Sequence, residues 1–204
     1  MNRKIRTVID ARPVAAFFIL AYAISWVAWL GPLLDLREPL TTLGFVIGGY
    51  GPFIAAAIIT WLGSDSVRAW ARQIVDWRVA PRWYLAALAV PLLVVALTSV
   101  GLTLVGTTVD PGLLPGRISL VLVSFVSIAL IGGGNEEPGW RGLALPKLQE
   151  RYAPVPATLV LGVVWALWHL PLLATGTTEF HGLASFVELA PTTAVRILNI
   201  VGVA

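Results

Sequence analysis

Two short motifs in this 204-residue chain contain residue types that perform chemistry, and both lie at the ends of apolar segments. Residues 136–141 read Glu-Glu-Pro-Gly-Trp-Arg. They follow an apolar run, 118–130, and a break of sequence Ile-Gly-Gly-Gly at 131–134. His169 closes the motif Trp165-Ala-Leu-Trp-His169 near the end of a second apolar run. An ionisable group at membrane depth carries a penalty of roughly 2.5–3.5 kcal/mol on insertion scales, so a functional site is the default interpretation of these residues.

The acidic pair is predicted to begin a helix. Asn135 is a good N-cap residue, and Pro138 is tolerated in a first turn, so we expect the helix to start at Glu136. Glu137 and Arg141 are then spaced i,i+4 and can form an ion pair. Glu136 points about 100° away around the helix axis, which leaves its carboxylate free to act on water.

Structural roles compete with this interpretation. Acidic residues at a helix start complement the macrodipole, and an exposed Glu-Arg pair is common and contributes little energy. Burial would raise the pKa of Glu136, whereas the helix N-terminus and Arg141 would lower it, and the sequence leaves the sum open. Trp165 and His169 share a helix face. A single His in a spanning helix can also serve only to bond a neighbouring helix.

The composition is that of a membrane protein. Hydrophobic residues make up 57% of the chain and charged residues 12%, against about 25% charged in soluble domains. The absence of cysteine excludes disulfides, thiol catalysis and cysteine-ligated metals. The chain has two histidines, His169 and His181, that could supply imidazole to a metal. The net charge of +3 is interpreted as a report of topology rather than of nucleic-acid binding. We therefore expect the lipid bilayer, and no nucleic acid, as a partner.

The elements that must position these residues are apolar segments of spanning length. A spanning helix needs about 20 apolar residues, and the fold class is predicted as all-α, a polytopic membrane helical bundle with about six transmembrane helices. A seventeen-residue stretch between the second and third spans reads as an amphipathic interfacial helix or, alternatively, as a solvated connector. The predicted spans are 13–34, 43–62, 83–106, 118–134, 155–175 and one beginning near 184, with the interfacial helix near 64–80.

Basic residues fall mainly on one side of this topology. With the N-terminus in the cytoplasm, the outer side receives only Arg37 and Arg117. The positive-inside rule therefore predicts a cytoplasmic N-terminus in a bacterial inner membrane, with residues 136–141 at the cytoplasmic end of the fourth span. The basic residues on the cytoplasmic side are Arg3, Lys4, Arg6, Arg12, Arg68, Arg72, Arg78, Arg82, Arg141, Lys147 and Arg151.

At this point the chain resembles a known family. Residues 136–141 match Glu-Glu-x-x-x-Arg, and Trp165-x-x-x-His169 matches an aromatic-x-x-x-His motif. The pair is similar to the motifs of the CPBP family, which comprises type II CAAX prenyl endopeptidases and bacteriocin-processing or immunity-protein relatives. The resemblance covers about 118–204, which we interpret as the catalytic core, and 1–117 as N-terminal transmembrane helices.

The resemblance implies roles for individual residues. Glu136 and His169 match the family positions that activate a water for attack on a peptide bond. Glu137 and Arg141 match the positions that complete the catalytic site. We expect Trp140 and Trp165, the aromatic residues of the two motifs, to contact substrate. The substrate would be a membrane-associated peptide or protein.

The chain also departs from the family pattern. A later His-x-x-x-Asn or His-x-x-x-Asp motif is expected, but Ser185 stands four residues after His181. Asn199 could belong to a weaker element, although Val195 stands where its aromatic residue belongs. We therefore expect a chain truncated at its C-terminus that lacks the group holding the oxyanion.

The predicted function is an intramembrane endopeptidase that uses a glutamate- and histidine-activated water. A divalent metal such as zinc is an open alternative, with Glu136 and His169 as candidate ligands, although zinc sites normally have three protein ligands. A non-catalytic immunity or scaffold protein is a second possibility. The third is a proton-coupled transporter, which the lack of an internal repeat disfavours.

Overall fold

The computed structural model describes residues 3–31, 34, 36–106 and 118–175, and these residues form helices joined by turns, with no strand among them. They fall into two compact units. One unit combines the described residues within Met1–Val75 and Val126–Leu183, and the other contains those within Asp76–Phe125. The predicted all-α class is confirmed for this part of the chain.

Most of the helices are shorter than a typical spanning segment, and two pairs of consecutive helices are joined by a sharp bend. Residues 137–149 form one continuous helical segment, called the site helix below, whose middle turn is π-helical. The elements are α1 (Arg3–Ala11), α2 (Pro13–Ala28), α3 (Leu40–Gly49), α4 (Gly51–Leu62), α5 (Val67–Ile74), α6 (Pro81–Leu104), α7 (Ile118–Leu130), α8 (Glu137–Gly139), a π turn (Trp140–Ala144), α9 (Leu145–Gln149), α10 (Pro154–Trp168) and α11 (Leu170–Thr175).

Two helical segments among the described residues are long and apolar enough to cross a membrane, namely Pro81–Leu104 and Pro154–Leu172. Two bent pairs raise the number to four if each pair is one span: α1 with α2, bent by 102°, and α3 with α4, bent by 51°. Four predicted spans thus correspond to candidate spans. α7 has only 13 residues, and the predicted span beginning near 184 lies outside the described residues.

The core of the first unit forms where α2 packs against α3 and α4 through small residues. Ala21, Ala55 and Ala56 are fully buried. Ser25 Oγ donates to the Gly48 carbonyl at 2.7 Å, and a Cβ on Gly51 would lie 1.9 Å from Ser25 Oγ. Small side chains let helix backbones approach closely, which is how helices associate when lipid surrounds them.

The segment predicted as an interfacial helix near 64–80 is helical only over α5, Val67–Ile74. Ser66 caps it by accepting from the Ala69 amide at 3.2 Å. Trp70 is buried, whereas Arg68 and Arg72 are exposed. Trp77, inside the predicted range, lies beyond the helix end and is 75% exposed. The shorter helix keeps its amphipathic character through Trp70.

The second unit contains α6, whose residues are all exposed or half-buried. Pro91 lies inside this 24-residue helix. At its N-terminal end the Tyr84 hydroxyl donates to the Trp77 carbonyl, and the Arg82 guanidinium lies 5.6 Å from the centre of the Trp83 ring. An apolar helix with exposed aromatic and basic residues at its end is typical of a membrane span.

Candidate active site

The two carboxylates of the acidic pair follow a glycine turn. α7 ends at Leu130, and Gly133 has φ +150°, a backbone conformation that favours glycine. Gly134 has no room for a side chain, because a Cβ there would lie 2.3 Å from the Ala129 carbonyl oxygen. The predicted three-glycine break is thus observed as a tight turn that delivers Glu136 and Glu137 to the start of the site helix.

The predicted start of that helix was wrong by one residue. α8 begins at Glu137, and Glu136 occupies the N-cap position. Asn135 is not the cap, because its Oδ1 accepts from the Gly133 amide at 3.0 Å and thereby closes the glycine turn. Pro138 lies in the first turn, as expected.

Glu136 is a buried carboxylate held by two tryptophans. The residue is only 7% exposed. Oε2 accepts from Trp140 Nε1 at 3.1 Å and from Trp165 Nε1 at 2.9 Å. The two residues predicted to contact substrate both bond the candidate base, and their contact with substrate stays a prediction. One carboxylate oxygen, Oε2, is thus fixed, whereas Oε1 accepts no hydrogen bond from the described residues.

The pKa of Glu136 is raised from 4.5 to about 7, and burial of the carboxylate is the largest cause. The indole N–H groups of Trp165 and Trp140 oppose the rise because they stabilise the ionised form, and Arg141 acts in the same direction. The neighbouring Glu137 carboxylate raises the pKa further. Near neutral pH the carboxylate is therefore poised between its acid and base forms, as suits a general base.

Glu137 and Arg141 form the ion pair that their spacing predicted. Arg141 Nη1 lies 2.7 Å from Glu137 Oε1, and the two side chains are 30% and 47% exposed, for Arg141 and Glu137 respectively. Burial raises the pKa of Glu137, whereas Arg141 lowers it. Both residues border a cavity of about 340 Å³, which Gln73 of α5 also lines. The ion pair thus lies at a cavity next to α5, and Glu136 is not among the residues that line this cavity.

His169 caps α10 and is tied to the same tryptophan as Glu136. Its Nδ1 lies 2.9 Å from the Trp165 carbonyl oxygen. A carbonyl oxygen only accepts, so we assign the proton to Nδ1, which leaves Nε2 as the acceptor of the neutral ring. The rings of Trp165 and Trp168 meet the imidazole edge-on, with centroids 4.6 and 4.7 Å away. Trp165 therefore connects the histidine to the carboxylate.

Other elements hold the two motifs in place. The end of α10 is bonded to α2, since the Tyr22 hydroxyl donates to Val164 O at 2.5 Å and Trp26 Nε1 to Trp168 O at 3.0 Å. The site helix is bonded to α5 through Trp70 Nε1 and Pro138 O at 2.9 Å. Trp168, which the sequence did not single out, packs edge-on against Trp140 at 5.7 Å. Its position next to His169 in the motif was the available signal.

The donor set that the described residues provide at the site does not fit a metal ion. Among the described residues no three His, Asp or Glu side chains lie close enough together to hold one, whereas catalytic zinc normally has three protein ligands. One Glu136 oxygen already accepts from two indoles. We therefore derive no step through a metal from Glu136 and His169. His181 and Asn199, the candidates for later motifs, lie outside the described residues.

Comparison with known proteins relates this site to a family. Residues 118–200 match the family model described as type II CAAX prenyl endopeptidase Rce1-like. The curated CAAX prenyl protease 2 of Methanococcus maripaludis is 24% identical over 197 residues, covering 86% of this chain and 71% of its own length. No solved structure matches the chain significantly. The family-model match and the curated relative confirm the resemblance that the two motifs predicted, and the chain is similar to the type II CAAX prenyl endopeptidases.

Proposed function

We propose that the chain is a membrane-embedded endopeptidase that cleaves a membrane-associated peptide with a water activated by Glu136. One observation carries the proposal: a buried carboxylate is held on a single oxygen by the indoles of Trp140 and Trp165, and the backbone carbonyl of Trp165 bonds His169 Nδ1. The match of residues 118–200 to a peptidase family and the similarity of the chain to a curated protease favour hydrolysis over the scaffold and transporter alternatives. The N-terminus is proposed to be cytoplasmic in a bacterial inner membrane.

The proposed mechanism begins at the free oxygen of Glu136. Oε1 accepts a proton from a water molecule as the water oxygen attacks the carbonyl carbon of the peptide bond. The carbon–nitrogen bond then breaks, and the proton passes from Glu136 to the leaving nitrogen. His169 orients the water through Nε2, because Nδ1 is committed to the Trp165 carbonyl. Glu137 and Arg141, which form an ion pair next to Glu136 on the site helix, complete the proposed site.

The substrate class follows from the relative. That protein is named a CAAX prenyl protease, so a prenylated peptide ending in a CAAX sequence is the first probe to use. Peptide with a fluorophore and a quencher on either side of the expected bond would be added to the full chain in proteoliposomes, and fluorescence would report cleavage.

Glu136→Gln and His169→Ala are expected to reduce kcat/KM by about 10²–10⁴-fold, because each removes a group that handles the water's proton or position. Glu38→Gln is the matched control, since Glu38 is an exposed carboxylate in the loop before α3. It should cleave as the wild type does. Equal cleavage by wild type and both site variants would refute the assignment, and so would a comparable loss in the control.

A further inference from the structure

A second cavity lies away from the candidate active site, between the start of α2 and the end of α9. Its volume is about 260 Å³. Three basic residues line it, Arg12, Lys147 and Arg151, together with one acidic residue, Glu150. The mechanism above uses none of them. The excess of positive charge indicates that an anion would be favoured there.

Two of the basic groups are available to such an anion. Lys147 is committed, since its Nζ lies 2.9 Å from Asp65 Oδ2. Arg12 and Arg151 are exposed, and within the described part of the chain neither guanidinium has a carboxylate partner. Guanidinium groups present several N–H donors in a planar fork that matches the oxygens of a phosphate.

The cavity is apolar on its α2 side and opens onto an exposed apolar stripe. Pro13, Val14, Ala15 and Phe18 form this wall. From Ala15 the exposed positions of α2 continue at four-residue intervals through Ile19, Ala23 and Val27, with Ile19 72% and Val27 68% exposed. A ligand with an anionic head and a hydrocarbon tail would match both parts.

The bend between α1 and α2 indicates the depth of this cavity in a membrane. α2 is apolar throughout, whereas α1 begins Arg-Lys-Ile-Arg. The two helices are bent by 102°, so α1 runs across the direction of α2, as a helix lying in the headgroup layer does. Arg12 stands at the bend. It would therefore lie at the level of the lipid phosphates.

We propose that this cavity binds the phosphate of an anionic phospholipid between Arg12 and Arg151, with an acyl chain along the Ala15–Val27 stripe. The volume lies just below the roughly 300–1,000 Å³ of pockets that enclose whole drug-sized ligands, which suits a headgroup whose tails remain outside. A zwitterionic headgroup would add a cation beside two guanidinium groups, so an anionic lipid is preferred. Basic pockets of this kind are known to hold acidic headgroups.

The test titrates the delipidated full chain, in uncharged detergent, with phosphatidylglycerol or phosphatidylcholine of identical acyl chains, and counts bound lipids by native mass spectrometry. The wild type should bind phosphatidylglycerol at least about tenfold more tightly. Arg12→Gln combined with Arg151→Gln should abolish the preference. Arg12→Lys with Arg151→Lys should retain most of it, because lysine keeps the positive charge at both positions.

The matched control removes the same charge elsewhere. Arg68→Gln with Arg72→Gln alters two exposed arginines of α5 that do not line the cavity, and it should keep the preference. Equal binding of both lipids by the wild type, or equal loss in this control, would overturn the proposal. Displacement of phosphatidylglycerol by an acidic peptide, or by equimolar glycerol 3-phosphate without acyl chains, would also overturn it. Glu136→Gln should bind lipid normally, since this site is separate from peptidase activity.

Discussion

At the scale of single residues, Trp165 is the most informative side chain in the candidate site. Its indole donates to Glu136 and its carbonyl oxygen lies within bonding distance of His169 Nδ1. The substrate contact predicted for Trp165 stays a prediction, and from the geometry we propose in addition a positioning role between the proposed base and its histidine. That role has a signature in the pH dependence of cleavage.

We expect the kcat/KM of the wild type to fall about tenfold per pH unit below an apparent pKa near 7, since the ionised form of Glu136 is the base. Trp165→Phe removes a donor that stabilises the carboxylate, so its acid limb should move to higher pH. Rate profiles between pH 5.5 and 9 provide the measurement. Trp26→Phe is the control, because the Trp26 indole donates to the carbonyl of Trp168, which lies on α10 as Trp165 does. An unmoved limb in Trp165→Phe would contradict the role.

Glu136 should also make stability depend on pH. Burial raises its folded-state pKa from 4.5 to about 7, so the folded state holds the proton more tightly and stability declines as pH rises from about 4.5 to 7. Glu136→Gln stays neutral and should therefore gain on the order of 3 kcal/mol over the wild type at pH 8, and little at pH 4. Thermal unfolding in detergent, with Glu38→Gln as control, measures the difference. A gain equal at both pH values would argue against a buried ionisable carboxylate.

At the scale of elements, the position of the acidic pair depends on close contact between the site helix and α4. A Cβ on Gly139 would lie 2.5 Å from the Pro52 carbonyl oxygen and 2.7 Å from its carbon, both backbone atoms. Trp70 and Gln73 of α5 bond the Pro138 and Gly142 carbonyls on the same helix, at 2.9 and 3.0 Å. The site helix is thus fixed between α4 and α5. Its contact with α4 at Gly139 lies three residues after Glu136.

Gly139→Ala is expected to push the site helix away from α4 and to lower activity by at least about tenfold, since overpacking typically costs about 1–3 kcal/mol and displaces backbone. Cleavage rate and thermal midpoint together are the readout. Gly162→Ala is the control, because a Cβ on that α10 glycine meets nothing within 4 Å. Loss of activity in both variants, or in neither, would show that the contact with Pro52 does not position the site.

At the scale of the whole molecule, the proposed orientation places the acidic pair and the N-terminus on the cytoplasmic side. The chain has no cysteine, so single introduced cysteines report sidedness without background. Ser64→Cys should react with an impermeant maleimide only after the membrane is opened, and Arg37→Cys should react in intact cells. The two positions are exposed. The reverse labelling pattern would invert the proposed topology.

The sequence by itself determined the helical membrane class, the glycine break before the acidic pair and the Glu137–Arg141 pair. These depend on composition and on i,i+4 spacing, which are local properties. It could not determine that Trp140 and Trp165 converge on one oxygen of Glu136, because Trp165 lies 29 residues from Glu136 along the chain and reaches it only through packing of α10. Burial, and with it the balance of opposing effects on the pKa of Glu136, was likewise decided by tertiary structure, since desolvation depends on what surrounds a group.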